Sequence, residues 1–80
     1  MGKMIQKHKF VSENMDLLRK LTQNGYVSSK LLCYYDIYLT YMSVKDSSKL
    51  NRYKIVAALK KTTSHTVRRA VSDMKSYIRD

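Results

Sequence analysis

The sequence predicts an all-α fold in which four helices form one compact domain over residues 1–80. Proline is absent and glycine occurs only at positions 2 and 25, so few positions interrupt a helix. Apolar residues recur every three or four positions, which is the helical period, and no Asn-Gly or Asp-Gly turn joins two alternating segments. Eighty residues is near the size at which one core is only marginally sufficient, so a partner or a second copy often helps.

The first helix is predicted to follow a basic lead-in, residues 1–10. We expect Ser12 to be its N-cap, with Glu13 and Asp16 in the first turn, where the helix dipole favours acids. Asn24-Gly25 should end this helix. Its narrow buried stripe comprises Val11, Met15, Leu18 and Leu21.

The second helix is rich in tyrosine and apolar on almost every side. Ser28 or Ser29 is expected to cap it, and it should end near residues 45–46. Three tyrosines share one face at i, i+4 and i+7, namely Tyr34, Tyr38 and Tyr41. They fit a central core helix whose hydroxyls reach water, or a docking surface for a second copy or a larger protein. A third reading is that they stack on bases of a single strand.

The third and fourth helices are predicted to be short and close together. The third begins at Ser47 or Ser48, and Thr63 caps the fourth, which covers residues 64–79. The fourth helix has one apolar face, formed by Val67, Val71, Met74 and Ile78.

The turn between these two helices is only about three residues long, 61–63, which is typical of a helix-turn-helix. In the window 53–72, such a motif takes a small residue in the fifth place and apolar residues in the fourth, fifteenth and eighteenth. Those places hold Ala57, Val56, Val67 and Ala70. We therefore predict a helix-turn-helix over residues 48–79, without a wing.

The segment "SKLNRYKIVAALKKTTSHTVRRAVSDM", residues 48–74, resembles the helix-turn-helix of small DNA-binding proteins of bacteriophages and mobile elements. Mor-type activators and the homeodomain-like modules of resolvases and transposases are the most similar in pattern. Lys60, Lys61 and Thr62 depart from it, since the pattern has an apolar residue, a glycine and an apolar residue there. A left-handed Lys61 would cost about 1 kcal/mol. The resemblance implies binding to duplex DNA through the fourth helix.

The charge distribution also favours an anionic partner. The chain has a formal net charge of +10, and residues 48–80 hold nine basic and two acidic side chains, against seven and four in residues 1–47. Arginine can bind guanine O6 and N7 with two parallel hydrogen bonds. The candidate base contacts are Ser64, His65, Arg68, Arg69 and Ser72.

Phosphate contacts are expected around the base-reading face. Two threonines are included because free N–H groups at a helix N-terminus bind phosphate. The candidates are Lys49, Arg52, Lys54, Lys60, Lys61, Thr63, Thr66 and Lys75.

The residue pattern argues against catalysis. The six acidic residues are scattered, and no catalytic constellation, metal site or cofactor site is expected. Cys33 has no second cysteine to pair with, which fits a reducing, cytoplasmic setting. No secretory signal is evident, and the longest apolar run is shorter than the roughly 20 residues of a spanning helix.

The sequence therefore predicts a sequence-preferring duplex DNA-binding regulator of a phage or mobile element, acting as a homodimer. An alternative is an accessory subunit that docks through the tyrosine-rich helix on a larger replication or recombination enzyme, such as a polymerase, primase or helicase, and helps it bind template DNA. Binding to an acidic protein alone is a third hypothesis.

Overall fold

Five helices and a small sheet make up the protein in a computed structural model, which describes residues 4–45 and 48–79. The elements are β1 (Met4–Gln6), α1 (Lys7–Glu13), α2 (Met15–Gln23), α3 (Lys30–Ser43), α4 (Lys49–Leu59), α5 (Ser64–Lys75) and β2 (Tyr77–Arg79). The mainly helical class is confirmed. The expectation of helices alone is wrong, because both ends of the described chain are extended and pair with each other.

The two strands form an antiparallel ribbon in which Ile5 lies opposite Ile78. The amide of Lys7 extends the pairing by donating to the carbonyl of Ser76 at 2.8 Å. Pairing satisfies the backbone groups of both segments, so residues 4–6 of the predicted lead-in form a strand. It also corrects the predicted fourth helix, which ends at Lys75 because Ser76 is extended, with ψ 164°. Ile78 therefore belongs to a strand.

The predicted first helix is two helices, α1 and α2, that meet at Asn14. This residue leaves the helical region with φ −119°, and its side-chain Nδ2 donates to the carbonyl of Phe10 at 2.9 Å. A short amide side chain competes with the backbone in this way and favours a helix break. Ser12 lies within α1 and is not an N-cap. Of the two acidic residues expected in a first turn, Glu13 and Asp16, only Asp16 lies in one, the first turn of α2.

Gly25 ends α2, as the sequence predicts. It has φ +78°, and its amide donates to the carbonyl of Thr22 at 3.1 Å. The amide of Tyr26 reaches back to Leu21 at 2.8 Å. These two bonds are the Schellman arrangement, in which a left-handed residue satisfies the last helical carbonyls.

The same arrangement ends α4, with lysine in the place of glycine. Lys61 has φ +52°, and its amide donates to Ala58 at 3.4 Å. Thr62 donates to Ala57 at 2.9 Å. Residues 60–63 therefore form a tight turn between α4 and α5, with Lys61 in the left-handed conformation.

The starts of α4 and α5 are capped by the expected side chains. The hydroxyl of Ser48 accepts from the amide of Asn51 at 3.4 Å, and that of Thr63 accepts from Thr66 at 3.1 Å. Each cap satisfies one amide that lacks an intrahelical partner. The other cap candidate, Ser47, lies outside the described residues.

The tyrosine-rich helix α3 begins at Lys30, after Ser29 as N-cap residue. The hydroxyl of Ser28 accepts from the amide of Lys30 at 3.2 Å. Its C-cap is Val44, with extended backbone, so the helix is slightly shorter than predicted. Of the two residues expected to end it, Asp46 lies outside the described part of the chain.

The central helix of the core is α5, which packs against α1, α3 and α4. Its apolar side is fully turned inward, and α4 contributes Val56 and Ala57. The inward orientation predicted for Val67, Ala70, Val71 and Met74 is confirmed, since none is more than 3 % exposed. The rest of the core consists of Val11, Leu18, Ile37, Tyr38 and Tyr41. Packing on one side leaves the opposite side of α5 to solvent.

Among the described residues, no helix is both long and apolar enough to cross a membrane.

Candidate functional site

The outward side of α5 carries the residues expected to contact bases. Ser64, His65, Arg68, Arg69 and Ser72 are all exposed. Within residues 4–45 and 48–79, neither Arg68 nor Arg69 has an ion-pair or hydrogen-bond partner for its guanidinium. Both side chains are therefore free to bind an external anion.

A cleft of about 790 Å³ opens beside this face. We call it the α5–α3 cleft, since one part of its lining comes from α5 and another from the start of α3. The lining residues are Lys7, Ser28, Lys30, Leu31, Tyr34, His65, Arg68, Arg69, Ser72, Asp73 and Ser76. Four of the five predicted base-contact residues line it, and Ser64 does not.

One ion pair lies within the α5–α3 cleft. Lys7 Nζ is 2.9 Å from Asp73 Oδ1, and the two side chains are 27 % and 36 % exposed. Water screens such a pair, which limits its contribution to stability to about 1 kcal/mol or less. The pair links α1 to α5 and neutralises the only carboxylate among the lining residues.

Lys30 and Tyr34 lie one helical turn apart on the α3 side of the cleft. Lys30 Nζ is 5.3 Å from the centroid of the Tyr34 ring, a cation–π contact that favours a lysine near the aromatic face. Tyr34 is half-buried and packs against the core. The ring and the ammonium thus present an apolar surface beside a positive charge.

Arg52 does not face outward, which corrects its expected contact with phosphate. Its Cζ lies 3.9 Å from the centroid of the Tyr41 ring, and Nη2 donates to the Tyr41 carbonyl at 2.9 Å. Its Nε is buried, with no hydrogen-bond partner in the described chain. The guanidinium is used inside the protein, where it joins α4 to the end of α3.

Lys60 is also engaged, because its ammonium forms an ion pair with the carboxylate of Asp36 on α3. The other lysines expected at phosphates are exposed, namely Lys49, Lys54, Lys61 and Lys75. Lys75 Nζ lies 5.9 Å from the Tyr41 ring centroid. The available lysines are therefore distributed over α4, the turn after it and the end of α5.

The two threonines at the start of α5 are used mainly for capping. Thr63 Oγ1 accepts from the Thr66 amide and lies 3.0 Å from Thr66 Oγ1. This amide is not free for a phosphate. Thr63 is exposed and Thr66 is half-buried, and their hydroxyls bond to each other, so any contact of these two residues with phosphate would compete with the cap.

Two of the three tyrosines expected at a protein interface are buried in the chain itself. Tyr38 is 7 % exposed and Tyr41 is 2 % exposed. Tyr38 stacks on His8 with ring centroids 4.9 Å apart, and Tyr41 stacks on Tyr53 at 5.4 Å. The core interpretation of these two residues replaces the docking interpretation, because α5 and its neighbours cover this face of α3.

Burial raises the pKa of Tyr38 above its usual value, and the nearby Tyr35 adds to the effect. A buried phenol resists ionisation because the phenolate loses its hydration. Tyr38 therefore stays neutral in the folded protein to a higher pH than an exposed tyrosine.

Large apolar side chains are exposed on both α3 and α4. Leu39, Met42, Ile55 and Leu59 are each 40 % exposed or more. Cys33 is also exposed and unpaired. In the described part of the chain, no group of three or more His, Cys, Asp or Glu side chains is arranged to hold a metal ion.

The α3 side of the cleft was not predicted from the sequence. Lys30 and Tyr34 are four residues apart, which predicts a common helix face. Lys7 gives no such signal, because its position beside Asp73 depends on the pairing of β1 with β2. Local patterns do not report contacts between residues 66 positions apart.

Comparison of the chain with family models, with curated proteins and with solved structures found no match.

Proposed function

We propose that this protein binds duplex DNA through the outward side of α5, as a sequence-preferring regulator in a phage or other mobile element. In this proposal α4, the turn at residues 60–63 and α5 act as a helix-turn-helix. The observation that carries it is the pair of exposed guanidinium groups of Arg68 and Arg69, which have no partner among residues 4–45 and 48–79, on a helix whose other side is fully buried.

The dimensions of α5 suit a major groove. Its 12 residues span about 18 Å. A B-DNA major groove is about 12 Å wide and admits one helix. Small and branched side chains brace α5 from behind, since Ala57, Val67 and Ala70 are all buried. A braced helix keeps its outward side chains in fixed positions, which base recognition requires.

Two kinds of contact are assigned to this surface. Arg68 and Arg69 are proposed to bind guanine edges, each worth about 1–3 kcal/mol of discrimination. His65, Ser64 and Ser72 are assigned to neighbouring base edges. Lys49, Lys54, Lys61 and Lys75 are assigned to phosphates, which fix the register but carry no sequence information. Two copies on adjacent half-sites would enlarge this small footprint.

The test is a binding titration by fluorescence anisotropy with a random-sequence duplex and with a duplex selected from a random library. The wild type is expected to bind both in dilute buffer, with log K falling linearly as log salt rises. Arg68→Ala combined with Arg69→Ala should remove the preference for the selected duplex. The control is Lys49→Ala combined with Lys54→Ala, which should weaken both duplexes alike. No binding by the wild type at low salt would contradict the proposal.

A second candidate is the accessory-subunit function, in which the protein docks on a larger replication or recombination enzyme and helps it hold DNA. The exposed apolar side chains Leu39, Met42, Ile55 and Leu59 favour it, since large apolar side chains at a surface mark interaction sites. Docking would use these residues and not Tyr38 or Tyr41. The mass in solution separates the two candidates: a stable dimer favours the regulator, and a monomer favours the subunit.

A further inference from the structure

The α5–α3 cleft has the composition of a site for phosphodiesters. Lys7, Lys30, Arg68 and Arg69 supply four cations, whereas Asp73 is the single carboxylate and is paired with Lys7. Three serine hydroxyls also line it, although that of Ser76 already donates to the carbonyl of Asp73, which leaves Ser28 and Ser72 as donors. Cations and hydroxyl donors are the groups that bind phosphate oxygens in protein–DNA complexes. A concave surface of one charge sign focuses the field and attracts a polyanion.

The arrangement of these groups suits a chain of phosphates better than one phosphate ion. The positive charges come from three separate elements: Lys7 on α1 and Lys30 on α3 are assigned to phosphates, and Arg68 and Arg69 on α5 are assigned to the bases of the same strand. The volume, about 790 Å³, exceeds what a single phosphate needs. Leu31 and Tyr34 add an apolar surface that fits the sugar of a nucleotide. A strand that passes through the cleft would meet both sides.

We propose that the α5–α3 cleft holds one sugar-phosphate strand of the DNA whose bases contact α5. This inference rests on the proposed function and adds a contact that the helix-turn-helix alone lacks. Lys30, Ser28 and Tyr34 belong to the N-terminal half, so that half takes part directly in binding. The cleft continues the face of α5, because His65, Arg68, Arg69 and Ser72 belong to both.

Asp73 is expected to weaken DNA binding, in contrast to the cations of the cleft. Its carboxylate repels phosphate and also holds the Lys7 ammonium at 2.9 Å. Asp73→Asn keeps the size of the side chain, removes the negative charge and releases Lys7 to contact the strand. This variant should therefore bind DNA more tightly than the wild type, although the ion pair between α1 and α5 is lost.

The experiment measures duplex binding over a range of salt concentrations for Lys30→Ala, Lys20→Ala and Asp73→Asn. Lys20 is the matched control, because it is an exposed helical lysine that does not line the cleft. Lys30→Ala should reduce the magnitude of the negative slope of log K against log salt by about 0.9, the value for one lost phosphate contact on duplex DNA. Lys20→Ala should leave the slope unchanged. Asp73→Asn should increase the magnitude of the slope by about 0.9 and tighten binding.

The outcomes separate the two proposals. Suppose that the wild type binds duplex DNA and the double arginine variant loses the sequence preference. If Lys30→Ala then has the same affinity and salt slope as Lys20→Ala, the cleft inference is overturned and the proposed function stands. Weaker binding by Asp73→Asn, with its thermal unfolding unchanged by circular dichroism, also overturns the inference. If the wild type binds no duplex at low salt, both proposals fail. A lower affinity of Lys30→Ala in a folded protein, with a higher affinity of Asp73→Asn, supports the cleft.

Discussion

At the scale of single residues, the turn before α5 stores a small amount of backbone strain. Lys61 and Gly25 occupy the same place after α4 and α2, each with positive φ and each inside the same pair of hydrogen bonds. Glycine adopts this conformation without a Cβ penalty, whereas lysine does not. The comparison with Gly25 therefore identifies Lys61 as a position where a substitution can stabilise the protein.

Lys61→Gly is expected to raise the free energy of unfolding by up to about 1 kcal/mol. Lys61→Ala is the control, because it removes the charge and keeps the Cβ. It should give no gain. Urea denaturation followed by circular dichroism measures both variants. A Lys61→Gly protein no more stable than Lys61→Ala would show that the left-handed turn is not strained.

The raised pKa of Tyr38 links stability to alkaline pH. The phenol ionises more readily in the unfolded chain, near its usual pKa of about 10, than in the folded protein. At higher pH the unfolded state therefore holds fewer protons, so stability is retained below about pH 10 and is lost as pH rises above it.

Tyr38→Phe removes this ionisation and should make the melting temperature fall less steeply than that of the wild type above about pH 10. The ring stacked on His8 remains, so the two proteins should show similar pH dependence near neutrality. Thermal unfolding between about pH 7 and 11 provides the comparison. Parallel curves over the whole range would refute the role of Tyr38.

At the scale of elements, local pattern predicts α5 well and predicts its neighbours less well. The apolar spacing and the Thr63 cap fix where α5 begins and which side is buried, since both depend on residues within a few positions. Its end depends on β2 pairing with β1 at the other end of the chain. A helical pattern through Ile78 contains no information on that partner, so the sequence predicts a helix that is too long.

The split between α1 and α2 has a different cause. The apolar stripe through Val11 and Leu18 continues across the break, and both residues are buried. Periodicity therefore predicts one helix. Asn14 interrupts it through its own hydrogen bond to Phe10, which an apolar pattern does not record.

Arg52 connects α3 and α4 through the Tyr41 ring and carbonyl. Its planar guanidinium stacks on the ring and donates to the carbonyl at once, which an ammonium cannot reproduce. Arg52→Lys is therefore expected to destabilise the protein by about 1–2 kcal/mol. Lys54→Ala, at an exposed position of the same helix, should change stability by less than about 0.5 kcal/mol. Chemical denaturation measures the stability of both variants. An Arg52→Lys protein as stable as the wild type would contradict this role of Arg52.

At the scale of the whole molecule, half of the candidate site follows from the sequence. Arg68, Arg69 and His65 are predictable because one buried side of a helix defines the other side. Lys7 and Lys30 reach the same cleft only through the packing of α1 and α3 around α5. Arg52 and Lys60 were expected to contact phosphates, but each is engaged by a residue of α3, Tyr41 and Asp36 respectively, which the pattern of basic residues does not record.

The packing also divides the molecule into surfaces of different character. The cationic face of α5 and the cleft beside it contrast with the apolar residues exposed on α3 and α4, such as Leu39 and Leu59.

The most direct test is the map of backbone amide shifts in ¹H–¹⁵N NMR spectra as a short duplex is added at low salt. The account predicts that shift changes concentrate on the outward side of α5, at His65, Arg68, Arg69 and Ser72, and extend to Lys30. The amides of α2 from Asp16 to Lys20 should be unaffected. Changes centred on α2, or no changes with DNA in excess, would contradict it.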